Sequence, residues 1–326
     1  MLELYLNKPE DLELRETAAP GPVRENEARL RITYGGICGS DLRVYRGSIP
    51  YATYPLRPGH EVVGVVVEAG KGVPHAPGTR VVVEPNTFCG ECEFCLQGRT
   101  NICTHKTPIG VSSHGAFAQE IIVEAKYLVP VPDDVPDEQA ILIEPLSVTV
   151  HALKKARVAR GRLVAILGCG TEGLFATALA VHAGAQVTVI DVNPLKLEMA
   201  KKLGEVRTLH PKDVNDEMFD VVVEAAGVRS SIEQAMQIVK PGGEIVAIGI
   251  TSEKVDYPVM KIVRGEVTIH GSIIYTLADW DDAIKYIQDP TFNVRPVLSK
   301  IVPLGEYRQA FSDALSGNFA KIVLRF

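Results

Sequence analysis

Four cysteines crowd into one short stretch: Cys89, Cys92, Cys95 and Cys103, spaced C-x2-C-x2-C-x7-C. Four thiolates this close in sequence suit a closed tetrahedral zinc site. Gly90 and Gly98 allow the loop to fold tightly around an ion. With all four ligands supplied by protein, no coordination position stays open for chemistry. The role expected is structural, stapling a lobe that has little core of its own. An iron–sulfur cluster is the main rival, since four cysteines also suit one. A nucleic-acid zinc ribbon is disfavoured. Arg99 is the only basic residue within the cluster, and Glu91 and Glu93 sit beside the thiols.

A second constellation is spread along the chain. Cys38 lies in GICGSD, His60 and Glu61 in GHE, and Glu144 in EPLSVTVHA. A catalytic zinc typically takes three ligands of these types and keeps one position open. Zinc with one thiolate, one neutral imidazole and one carboxylate is net neutral, and can bind an alcohol and lower its pKa. Taken singly, Cys38 is more often a small buried hydrophobe, and His60 more often a satisfied loop residue, than a metal ligand.

The third feature is a nucleotide cradle. Leu163 to Leu167 is a short apolar run, followed by Gly168, Gly170 and Gly173 as G-x-G-x-x-G. Leu174, Thr177, Ala178 and Val181 follow at helical spacing, and a second apolar run, Val187 to Ile190, ends on Asp191. Strand, glycine turn, helix, strand and acid form the dinucleotide-binding fingerprint. The helix N-terminus offers free N–H groups to a pyrophosphate. Asp191 can accept from both adenosine ribose hydroxyls and repels a 2′-phosphate, so NAD is expected over NADP. Val192 and Asn193 follow without an arginine, although Lys196 offers some charge nearby.

The elements that must position these groups fall into two patterns. Residues 1 to about 35 alternate as strands, with Ala28, Leu30 and Ile32 apolar. Residues 34–61 read as a glycine- and proline-rich loop. Val62–Val67, Arg80–Val83 and Phe117–Val123 are strand-like, so the first third is mostly β. From Glu138 helical spacing appears, and from Arg162 strands alternate with helices. Strands are expected over 163–167, 187–191, 206–209, 219–224, 243–249 and 266–272, with helices over 172–183, 194–203 and 230–239. Pro241-Gly242-Gly243 marks the turn into the fifth strand. Six such strands suit a doubly wound α/β parallel sheet. Residues 1–145 and 290–326 read as one catalytic domain, carrying the cysteine lobe at 86–105. A dinucleotide-binding domain, 146–289, is inserted between them.

The chain has 326 residues, which suggests about two domains. Hydrophobic residues make up 46%, enough for a sizeable core. A net charge of -6 argues against nucleic acid or an anionic membrane as main partner. No apolar run of about 18 residues exists to span a bilayer. No secretory signal is visible, so cysteines in a reducing compartment read as metal ligands and the cytoplasm is the simplest expectation.

Together these residues resemble the zinc-containing medium-chain alcohol dehydrogenase family. The resemblance rests on Cys38 in GICGSD, on GHEVVGVVVEAG, on the four-cysteine lobe, on the glycine loop, and on their order. It covers essentially the whole chain, through GNFAKIVLRF. EPLSVTVHA looks most like the sorbitol/polyol dehydrogenase branch. The resemblance implies a six-stranded Rossmann domain inserted in a mostly-β GroES-like catalytic domain. It implies that Cys38 and His60 hold a catalytic zinc, with Glu61 as ligand or close neighbour, and that Glu144 is a ligand or holds the metal's water. Ser40 would pass the alcohol proton outward, and Asp41 would hydrogen-bond His60. Gly168, Gly170, Gly173, Asp191 and Lys196 would bind NAD, and Ala225, Gly227 and Gly249 would line the crevice. The implied reaction is oxidation of a secondary alcohol, a polyol or sugar, to a ketone. L-threonine, vicinal-diol and sugar C1 dehydrogenases are rivals within the family, and a zinc-stapled nucleotide-binding protein without turnover is the rival outside it. Relatives pair through the sixth strand of the sheet, here near Val267 to Ser272, so a homodimer or homotetramer is expected. Two departures stand out. Arg43 occupies the place of a relay histidine found in many relatives, and Glu172 sits where a pyrophosphate is expected to approach.

Overall fold

A computed structural model describes all 326 residues. In chain order the strands and helices begin with β1 (Leu2–Lys8), β2 (Asp11–Glu16), β3 (Glu27–Ile37), α1 (Gly39–Tyr45), β4 (Glu61–Ala69) and β5 (Arg80–Val83). There follow α2 (Glu93–Leu96), β6 (Glu120–Glu124), β7 (Leu128–Pro130), α3 (Asp137–Ala140) and α4 (Ile143–Leu153). The alternating part comprises β8 (Leu163–Leu167), α5 (Thr171–His182), β9 (Gln186–Ile190), α6 (Pro194–Lys201), β10 (Val206–Leu209), β11 (Phe219–Glu224), α7 (Arg229–Ile238), β12 (Val239–Ala247), α8 (Val259–Gly265), β13 (Thr268–Gly271) and α9 (Leu277–Gln288). The chain closes with β14 (Leu298–Pro303), α10 (Tyr307–Leu315) and β15 (Lys321–Arg325).

Two compact units result: Met1–Glu144 with Ser299–Phe326, and Pro145–Leu298. Residues 290–298, expected to return to the first domain, pack with the second unit instead. The loop expected over 34–61 contains the end of β3 and the helix α1. The first unit is built on a seven-stranded sheet in the order β14-β15-β3-β4-β5-β7, with β6 also paired to β3. Its alternation is what the sequence requires. Ala28, Leu30 and Ile32 of β3 point into one core, with Val62 and Val66 of β4 and Leu324 of β15.

The second unit holds a six-stranded sheet in the order β10-β9-β8-β11-β12-β13, with every pairing parallel. Strand order reverses between β8 and β11, which opens a crevice at the carboxyl ends of the strands. Helices on both faces explain why Val164 to Leu167 are apolar without alternation, each at most 1% exposed. The fifth strand departs from expectation. It starts at Val239, and its pairing with β11 jumps from Phe219–Val239 to Val221–Glu244. Pro241-Gly242-Gly243 therefore bulges out of the ladder. Pro241 has no N–H to donate, and Gly242 takes φ +70°.

Candidate active site and metal centres

In the cysteine lobe the four sulfurs lie within 4.8 Å of one another. Cys89–Cys95 and Cys92–Cys103 are 3.9 Å apart, and Cys89–Cys103 3.6 Å. Sulfurs about 2.3 Å from a tetrahedral ion lie about 3.8 Å from each other, so the set fits zinc. Backbone N–H groups of Cys89 and His105 point at the Cys103 sulfur, each at 3.4 Å. The Cys95 N–H holds Cys92 down, to about 6, whereas burial pushes Cys95 up to about 12. Four adjacent thiols ionise together only around a cation.

The second centre is assembled from the ends of β3 and β4. Donor atoms of Cys38, His60 and Glu61 converge within 4.8 Å. Cys38 caps the N-terminus of α1, and His60 directly precedes β4. One buried carboxylate, Asp41, ties both segments. It accepts from the Cys38 N–H at 2.9 Å and the Gly59 N–H at 3.1 Å. Asp41 also lies 3.4 Å from His60 Nδ1, within ion-pair reach but without hydrogen-bond alignment. That contact turns Nδ1 toward Asp41 and leaves Nε2 as the ring nitrogen available to an ion. Burial acts to lower the His60 pKa, but Asp41 and Cys38 outweigh it and hold it well above its ordinary value. The surroundings are built to hold positive charge, as a cation site requires. Ser40 Oγ lies 3.4 Å from His60 Nε2.

Sequence reasoning missed the partner of Glu61. Lys321, the first residue of β15, places Nζ 2.6 Å from both Glu61 oxygens. Both side chains are buried, at 1% and 0% exposure. A lone lysine heading an apolar strand was the available signal, but its partner is 260 residues away. Glu144, in the first turn of α4, stands outside the Cys38–His60–Glu61 cluster. Its carboxylate is buried and bears on a second buried acid, Glu84, at the end of β5. Burial and then Glu144 push the Glu84 carboxyl up to about 7.

The nucleotide cradle lies in the second unit. Gly170 begins α5 and faces open space, whereas a Cβ on Gly173 would lie 1.8 Å from the Gly168 oxygen. The first leaves room for a ligand, and the second lets helix and strand pack. Asp191 is already engaged: it accepts from the Cys169 N–H at 2.5 Å and the Asn193 N–H at 2.7 Å. It therefore braces the glycine loop from the second strand. Burial and then Asp191 push the Cys169 thiol up, against the opposing charge of Lys196 on α6. Glu172 does not point at the loop mouth. Its carboxylate accepts from the Thr149 hydroxyl at 2.5 Å, turning the charge toward α4. Ala225 donates its N–H to Leu167 O across the switch point, and Gly227 and Gly249 lie side by side at the ends of β11 and β12. Cys169 is fully buried.

Comparison with known proteins places the chain among zinc-binding dehydrogenases. The family profile "Alcohol dehydrogenase GroES-like domain" matches residues 24–133, and "Zinc-binding dehydrogenase" matches 173–289. D-arabinitol dehydrogenase 1 of Uromyces fabae is 31% identical over 342 residues, covering 100% of this chain and 97% of that protein. A zinc-binding dehydrogenase from Sinorhizobium meliloti 1021, solved bound to NADP, superposes with TM-score 0.92 at 28% identity, covering 100% and 99% of the two chains. A structure described as a short-chain alcohol dehydrogenase from Escherichia coli CFT073, complexed with NADH, gives TM-score 0.93 at 27% identity, with coverage of 100% and 99%. No helix of this chain is long and apolar enough to cross a membrane.

Proposed function

We propose that this chain, which belongs to the zinc-containing medium-chain alcohol dehydrogenase family, oxidises a secondary alcohol of a polyol or sugar to a ketone, with hydride transfer to NAD. The observation that carries the reading is the convergence of Cys38, His60 and Glu61 within 4.8 Å. Those three are the residues that would hold a catalytic zinc; Glu144, outside their cluster, would enter only as a further ligand or as the holder of the metal's water. Cys89, Cys92, Cys95 and Cys103 would hold a structural one. Bound at the first centre, zinc supplies Lewis acidity that polarises a substrate hydroxyl.

The protein's own residues do the rest. Asp41 fixes the Cys38 and Gly59 backbones and orients His60. Lys321 neutralises Glu61, so that pair adds no net charge to the centre. A divalent ion held by a Cys38 thiolate would then leave the centre at +1, which would lower the pKa of a bound alcohol. Ser40, beside His60, would accept the alcohol's proton only as it gives up its own hydroxyl proton to solvent, acting as a relay. Arg43 is exposed, and a guanidinium offers no acceptor atom with which to extend the relay as a histidine does. The N-terminus of α5, opened by Gly170, binds the pyrophosphate. Asp191 carries a negative charge at the ribose end, which supports NAD over NADP. β13, the edge strand of the parallel sheet, offers unpaired backbone groups for a second copy of this chain, the homo-oligomer contact we favour.

NADH formation across polyols, sugars, vicinal diols and L-threonine, measured with zinc present, tests the function. Turnover is expected to be highest with a polyol or sugar, to be lost with a chelator, and to return with zinc. Highest kcat/KM on L-threonine or on a simple vicinal diol would overturn the substrate class. No hydride transfer with any of them would favour a binding protein without turnover.

A further inference from the structure

β11 ends on Glu224, whose side chain is 1% exposed. Its Oε1 accepts from the N–H of Ala226 at 3.0 Å and of Gly227 at 2.9 Å, and the Ser231 hydroxyl lies 2.6 Å away. Its main-chain oxygen accepts from the N–H of Ile248 at 2.8 Å and of Gly249 at 3.0 Å. One residue thus joins the end of β11, the turn at 225–227, the first turn of α7 and the end of β12. The other carboxylate oxygen, Oε2, is buried without a partner. It faces Gly249: a Cβ there would lie 2.5 Å from Oε2 and 2.3 Å from the Gly227 nitrogen. Glu224 is also the one acidic group on a cavity of 280 Å³ walled by Ile232, Met236, Ala247 and Tyr257.

Leaving a buried carboxylate oxygen unpartnered lowers stability. Packing alone would be better served by an apolar side chain. What the carboxylate provides is one acceptor on which three donors from the 225–231 segment converge, beside two main-chain bonds to the end of β12. Both turns lie at the carboxyl ends of their strands, where doubly wound sheets bind their ligands; β11 borders the switch point and β12 is its outer neighbour.

We propose that Glu224 is a positioning residue for the nicotinamide end of the cofactor, holding the 225–227 and 248–249 turns in their binding geometry. This rests on the dinucleotide reading of the sheet. Glu224 acts on the shape of the turns and takes no part in the proton or hydride steps.

The test compares NADH with ADP-ribose, which lacks the nicotinamide, in fluorescence and calorimetric titrations of the zinc-loaded protein. E224L should weaken NADH binding about tenfold or more and raise the KM for NAD in parallel, while ADP-ribose affinity changes by about twofold or less. E224Q, which keeps an oxygen in the Oε1 position, should stay within about threefold of wild type for both. Should E224L fail to fold, S231A removes one donor, and G249A forces a methyl group against Oε2. Both should show the same selective loss of NADH. Equal loss of NADH and ADP-ribose would reduce Glu224 to a fold residue and overturn the proposal. Unchanged NADH affinity in E224L, or in both S231A and G249A, would do the same. Wild-type protein that binds neither ligand would overturn the dinucleotide reading, and this proposal with it.

Discussion

Replacing Lys321 by Met removes the only cation bonded to Glu61. Lys321 Nζ is 2.6 Å from each carboxylate oxygen, and both side chains are excluded from water. Breaking a buried pair from one side typically costs about 3–5 kcal/mol, because the remaining charge is left uncompensated. Domain stability is about 5–15 kcal/mol, so a large share would go. Replacing both partners, as Lys321→Met with Glu61→Leu, removes the stranded charge, and the double variant should cost less than the sum of the single ones. Denaturant unfolding of the metal-free protein gives the four values of this cycle, with an expected coupling of about 2 kcal/mol or more. The metal provides a second readout. Without Lys321, only the ion can compensate Glu61, so the carboxylate should bind it more strongly. Release of a zinc bound at Cys38, His60 and Glu61 to a chelating dye should then slow, while turnover falls. A Lys321→Met variant less than about 1 kcal/mol below wild type, with no coupling to Glu61, would refute the reasoning.

Other consequences follow from the same geometry. Cys95→Ser should release one zinc of two and lower thermal stability, leaving the other metal in place; iron and acid-labile sulfide in metal analysis would refute the structural-zinc assignment. NAD should be preferred over NADP in steady-state kinetics, and Asp191→Ser should narrow the gap; it should also loosen the glycine loop, because Asp191 holds the Cys169 N–H. Asp279 is buried; burial acts to raise its pKa, but bonds from His151, Lys154 and Thr276 outweigh it and hold the carboxyl well below its ordinary 3.8. A depressed carboxyl stabilises the fold above its unfolded pKa, and that contribution is lost as pH falls through the folded value. Asp279→Asn should therefore cost about 1.5–3 kcal/mol at pH 7, and the difference from wild type should shrink as unfolding is measured at pH below about 4.

Residues that act within one short segment were legible before any coordinates. The cysteine lobe depends on spacing over fifteen residues, and the glycine cradle on a strand, a turn and a helix in direct succession. Parallel strands buried on both faces announce themselves as apolar runs, so the six-stranded sheet was readable too. Cys38 and His60 were readable because each sits in a motif at the end of a strand, although their meeting depends on β3 pairing with β4. Tertiary structure alone decided the charges around them. Lys321 reaches Glu61 only because β15 lies beside β3 in the sheet, and β3 beside β4. Glu144 stands outside the metal cluster and beside Glu84 because the end of β5 lies near the start of α4, which no local pattern encodes. Glu172 turns to Thr149, twenty-three residues upstream, once α4 comes within reach. Spacing fixes which ligands a loop can present. Whether a carboxylate faces a metal, a lysine or another acid is settled by which distant strands share its neighbourhood, because electrostatic partners are chosen by distance in space and by burial.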